Sequence, residues 1–218
     1  MPRKMIVFAI LALWIFSPSL SLPALGEEKA PPVAAPKERY KVVGDLEAAK
    51  KVRPIEIEKF FNYSCGHCYK FLQGEDALTR RFGDSIYLKR TPIFWGKQTP
   101  FASMAYYHAL NHNKGEKVNR AIFDAHFAHG LDPFDPAVLN QILLEHGLAV
   151  TIDGKPWNQS PELQERVRAG MNAAEKLDIH ETPTIVINGA IKVMPDHTDG
   201  DMDKMLKRVE EIILELSK

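Results

Sequence analysis

Residues Phe60–Phe71 read F-F-N-Y-S-C-G-H-C-Y-K-F and hold the only two cysteines of the 218-residue chain, Cys65 and Cys68, spaced C-x-x-C. An apolar, β-prone run from Ile55 to Tyr63 leads in, and a helix-compatible run from Tyr69 to Phe82 leads out. Cys65 therefore falls at a strand-to-helix junction, where the first N–H groups of the helix have no internal partner. Those donors and the helix dipole favour an anion, and a thiolate is the anion this position would hold. Cys68 lies one turn further in and can reach back to close a small disulfide ring.

Other uses of the pair are weaker. A structural staple would close a very short loop, which removes little entropy from the unfolded chain. A zinc site needs about four ligands, and no second C-x-x-C or Cys/His cluster completes one. Covalent haem attachment needs C-x-x-C-H, and Tyr69 occupies the histidine position. A redox-active dithiol is the strong reading, with Cys65 as nucleophile and Cys68 as resolving thiol. His67 adds a charge when protonated and an N–H donor when neutral, and both favour a thiolate at Cys65.

Outward from this centre, 28 basic residues balance 28 acidic ones. That balance points away from nucleic acid or an anionic membrane surface as the main partner. Residues 1–26 read as a secretory signal: Arg3 and Lys4, an apolar core from Met5 to Phe16, then Ala24-Leu25-Gly26 for cleavage. An uncleaved anchor is the alternative, and either route takes the protein out of the cytoplasm. An exported dithiol meets an oxidising compartment. Residues 27–39, with Pro31, Pro32 and Pro36, read as a flexible linker.

Tyr40–Val43 suggests a short edge strand, and Ile55–Tyr63 a stronger one. Gly66–Phe82 forms the first helix, and Ser85–Phe94 the next strand. From Gln98 to Asp178 the pattern predicts helices and no strand: Phe101–Asn111, Lys117–His129, Pro136–His146, and a last helix from Pro161 to about Leu177 with Ser160 as N-cap. Trp157 falls in a polar loop. Thr184–Asn188 and Ile191–Met194 form a hairpin about Asn188-Gly189, and Asp201–Leu216 an amphipathic closing helix. His108/His112 and His126/His129 have helical spacing but no third ligand, so solvated faces are expected.

The pattern F-F-x-Y-x-C-x-H-C-Y-x-F resembles the DsbA family of bacterial periplasmic thiol–disulfide oxidoreductases, and the likeness runs from about Tyr40 to the C-terminus. The resemblance implies an α/β thioredoxin fold with an inserted all-helical subdomain, in which 40–97 and 179–218 make the thioredoxin domain and 98–178 the insertion. It implies that Thr182–Pro183 is a cis peptide beside the dithiol and that Thr182 pairs with an extended substrate. The implied activity is disulfide introduction into cysteine-containing exported polypeptides in the periplasm. A DsbB-type membrane oxidase would recharge a monomer whose only cofactor is its own Cys65–Cys68 disulfide.

Two departures, at Gly66-His67 and at Lys59, qualify this, and Thr182 bears on the same question. Gly66-His67 replaces the Pro-His common in the family and matches protein disulfide isomerase. Thr182 leans the same way. Lys59 stands where the family buries a carboxylate, six residues before the first cysteine, and could stabilise a thiolate by its charge. Strand alternation sends the neighbouring Glu58 to the opposite face. A periplasmic reductase or isomerase is thus the alternative direction, and an extracytoplasmic metal chaperone using Cys65, His67 and Cys68 the alternative class.

Overall fold

The structure is a computed structural model and describes residues 38–218. The expected signal and nearly all of the expected linker lie outside them. In chain order the elements are β1 (Lys41–Val42), α1 (Leu46–Ala49), β2 (Ile55–Phe61), α2 (Gly66–Phe82) and β3 (Ile86–Pro92). Four helices follow: α3 (Phe101–Asn111), α4 (Gly115–Phe127), α5 (Pro136–Glu145) and α6 (Pro161–Lys176). A small hairpin, β4 (Thr151–Ile152) and β5 (Lys155–Pro156), lies between α5 and α6. The chain ends with β6 (Thr184–Ile187), β7 (Ile191–Val193) and α7 (Met202–Leu216).

Five strands form one sheet in the order β1-β7-β6-β2-β3. β2 is the fourth strand, antiparallel to the middle strand β6 on one side and parallel to the edge strand β3 on the other. Its alternation sorts two cores. Ile55 and Ile57 face α2 and α7, meeting Phe71, Met205, Val209 and Ile213. Phe60 faces the other way, with Val186, Ile179 and Ala174 at the end of α6. The apolar stripe of α7, Met202, Met205, Val209, Ile212, Ile213 and Leu216, is buried along its whole length. Full burial of such a side chain is worth about 1.5–3 kcal/mol, so this stripe fastens the last helix to the sheet.

The third core belongs to the helical block and reaches the end of β2. Phe61, Tyr63 and Cys68 pack there with Tyr106, Ile122, Phe123 and Leu143. The C-x-x-C turn thus stands at the seam where the end of β2 meets the helices.

Three expectations are corrected. The block contains a hairpin, β4–β5, turning on Asp153 (φ 51°) and Gly154 (φ 75°). An Asp-Gly pair is the expected turn, but two-residue strands leave no period to detect. Trp157 is buried, not in a polar loop, and its Nε1–H donates to Asn140 Oδ1 at 2.6 Å. A polar neighbourhood in sequence hid an indole that needed only one partner. His108 likewise is buried rather than solvated, its Nε2 2.9 Å from the Ala149 carbonyl.

Candidate active site

β2 ends at Phe61, and four residues later Cys65 is the N-cap of α2, with extended backbone (φ −93°, ψ 112°). Asn62 makes the turn between them. Its carbonyl accepts from Cys65 N–H at 3.1 Å, and its Oδ1 accepts from Ser64 N–H (2.9 Å) and Ser64 Oγ–H (2.7 Å). Its Nδ2 donates to the Ile93 carbonyl (3.0 Å) and to Gln98 Oε1 (2.7 Å), tying the turn to the segment after β3. Asn62 was not singled out in the sequence, although an Asn ahead of a turn is a usable signal.

Cys65 Sγ accepts the N–H of Cys68 at 3.3 Å, as an N-cap side chain does, and lies 3.1 Å from the Thr182 carbonyl. Its pKa falls from 9.0 to about 6. A hydrogen bond from the Cys68 thiol contributes most, against the opposing effect of burial. Thr182 and the N–H groups of Cys68 and His67 add to the lowering. Cys68 is the reverse case. Burial, then the adjacent Cys65 sulfur, pushes its thiol well above the ordinary range. Cys65 is partly exposed and Cys68 buried, both as free thiols. The pair is therefore an accessible thiolate over a shielded, protonated thiol.

Thr182–Pro183 is a cis peptide at the start of β6. Glu181, just ahead of it, has its carboxyl raised by burial and by Asp196, and His67 opposes this. His67 is itself exposed, with its ring at van der Waals distance from where a side chain at Gly200 would stand, 3.6 Å to Cε1. Gly66 opens α2 and has room about it. An added Cβ would meet only Phe127 Cε1, at 3.8 Å. Gly66, His67, Cys68, Thr182 and Pro183 thus surround Cys65, while Glu181 and Phe127 are additions made by the fold.

Lys59 is fully buried, but its charge is not free to serve Cys65. Its ammonium contacts Glu75 of α2, and Arg90 of β3 contacts the same carboxylate at 2.8 Å. Burial alone would raise Glu75, yet Lys59 and Arg90 outweigh it and hold the carboxyl below its ordinary value. The suggestion that Lys59 stabilises a thiolate directly gives way to an ion cluster within the core. Glu58 does point to the opposite face, where Thr91 donates to it at 2.6 Å. Among the described residues no group of three or more His, Cys, Asp or Glu side chains converges as metal ligands would.

Comparison with known proteins gives a consistent result. The sequence model of the family described as "DSBA-like thioredoxin domain" matches residues 85–208. A thiol:disulfide interchange protein DsbA from Burkholderia cepacia is 26% identical over 180 residues, spanning 77% of this chain and 84% of that one. Its counterpart from Haemophilus influenzae is 27% identical over 154 residues, spanning 67% and 72%. The DsbA structure from Xylella fastidiosa superposes with a TM-score of 0.61 at 23% identity, over 74% of this chain and 85% of that one. Pseudomonas aeruginosa DsbA gives a TM-score of 0.64 at 18% identity, over 81% and 91%.

Proposed function

The chain belongs to the DSBA-like thioredoxin domain family, and from that membership we propose that it is an exported thiol–disulfide oxidoreductase that introduces disulfides into other exported proteins through Cys65 and Cys68. The observation that carries this reading is the asymmetry of the pair, a partly exposed Cys65 with pKa about 6 above a buried Cys68 held as a thiol.

The exchange runs in two displacements. A substrate thiolate attacks Cys65 Sγ of the Cys65–Cys68 disulfide. Cys68 leaves and takes a proton, and a mixed disulfide joins substrate to Cys65. A second substrate thiolate then attacks the substrate sulfur and expels Cys65 as a thiolate, with both electrons left on the protein dithiol. A low-pKa thiol leaves faster, so the N-cap position of Cys65 drives the step towards substrate oxidation. In the disulfide and mixed-disulfide forms Cys65 has no S–H to donate, which leaves the Thr182 carbonyl free for a backbone N–H of the substrate, adding as an extended strand at Thr182–Pro183.

In this reading residues 40–97 and 179–218 form the exchange domain and 98–178 the helical cover. The site of action is the periplasm, and a membrane oxidase of the DsbB type restores the disulfide. In Cys68→Ser the Cys65 thiolate can still attack a disulfide of an exported protein, and with no Cys68 to displace it the mixed disulfide should accumulate, whereas replacing Cys65 should abolish it. Faster alkylation of Cys68 than Cys65 at neutral pH would reverse the assignment. Gly66-His67 and Thr182 favour the reductive direction, and the equilibrium with glutathione decides between them. A potential near the ~−270 mV of thioredoxin would mark a reductase.

A further inference from the structure

We propose that Phe127 is a specificity-determining residue of the exchange reaction, an aromatic face that receives a large apolar side chain flanking the substrate's cysteine. This rests on the dithiol being the exchange centre. Phe127 is the last residue of α4 and keeps 37% of its surface exposed. It adjoins the dithiol turn itself, since a side chain added at Gly66 would stand 3.8 Å from its Cε1.

The ring is also held in place. It stacks on Tyr69 at 4.9 Å with 10° between planes, and the Tyr69 hydroxyl is fixed by donating to Asp124 at 2.9 Å. The His126 ring meets it edge-on at 4.6 Å, and His126 Nδ1 lies 3.1 Å from the Leu131 carbonyl. A ring already ordered on one side loses little entropy when a second side chain covers its open part.

The surroundings of Cys65 are unlike on their different sides. The Thr182–Pro183 loop brings the carboxyl of Glu181, which feels Asp196 and His67, whereas the α4 side presents the Phe127 ring. A substrate bonded through its cysteine to Cys65 has its neighbouring residues about 3.3 Å further along an extended chain, on alternate sides. One of those side chains falls within reach of Phe127, and an aromatic or long aliphatic group gains most there.

The test uses the oxidised full chain and two synthetic dithiol peptides that differ only in carrying Phe or Ser beside the attacking cysteine. The expected result is a second-order oxidation rate about tenfold higher for the Phe peptide, equivalent to about 1.4 kcal/mol. In Phe127→Ser the ratio should fall to about one to two, and Phe127→Tyr should restore it. A ratio near one in the unaltered protein overturns the proposal. So does a Phe127→Ser protein that slows both peptides equally and keeps the ratio, because that marks a purely structural role. Failure to oxidise either peptide would instead overturn the exchange reading, and this proposal with it.

Discussion

The pH dependence of stability should differ between the reduced and disulfide forms by an amount set by one sulfur. Cys65 titrates at about 6 when folded against 9.0 for an unperturbed thiol. A group with a depressed folded pKa stabilises the native state fully above its unfolded pKa, and the contribution is lost as pH falls through the folded value. For this pair of values linkage gives about 2.7 kcal/mol at pH 8, about 1.4 at pH 7 and nearly nothing at pH 5. Because Cys65 is partly exposed, solvent screening lowers these to about 2 and about 1 kcal/mol. Cys68 remains a thiol across this range, its folded pKa lying above 9.0. The disulfide form has no Cys65 titration. It gains instead the closure entropy of a four-residue ring, about 2 kcal/mol in the chain-entropy treatment, which does not vary with pH. The difference in unfolding free energy, reduced minus oxidised, should therefore rise by about 2 kcal/mol from pH 5 to pH 8, since the groups other than the two cysteines titrate in both forms. Parallel urea melts at pH 5, 6, 7 and 8 measure this. Two curves that stay parallel across that range would refute the activated thiolate at Cys65.

Two further outcomes follow from the site. Gly66→Pro should be tolerated, because proline suits the first helical position, Cys65 before it is extended, and an added Cβ meets only Phe127. The potential measured against glutathione should then move up, towards the ~−120 mV of DsbA. Glu75→Gln leaves Lys59 and Arg90 facing each other in the core, and chemical denaturation should show a loss of about 3–5 kcal/mol. A loss below about 1 kcal/mol would mean that water reaches the cluster.

Local signals made the outline legible. Cys65, the Phe82-Gly83 boundary, Ser160-Pro161 and Asn188-Gly189 each carry turn or cap chemistry in the residue itself, and α2, α3, α6 and α7 fall within a residue or so of the expected spans. What escaped was long-range. Glu75 lies on the face of α2 that meets Lys59 only once β2 and α2 are packed, and nothing within either segment forecasts the pairing. Phe127 reads as one more apolar residue of α4 until the fold sets it beside Gly66, 61 positions earlier in the chain. Asn62 falls inside the run expected as strand, Ile55–Tyr63, yet it lies beyond β2 and its side chain makes four hydrogen bonds that shape the turn. Resemblance carried the reading across one such gap, between Thr182–Pro183 and Cys65, which periodicity could not have joined.

The Lys59–Glu75–Arg90 cluster limits the routes by which such a core can be altered by descent or by recombination. Lys59→Glu alone would set two carboxylates against one guanidinium, and Glu75→Lys alone would crowd three cations together. Passage between this arrangement and one with the carboxylate on β2 must go through a neutral side chain at one of the positions. A chimera that replaces only β2 or only α2 would keep half of the Lys59–Glu75 pair, whereas one that exchanges both as a block would not split it. The two segments flanking Cys65 are therefore a single heritable unit, joined by a contact sixteen residues apart in sequence.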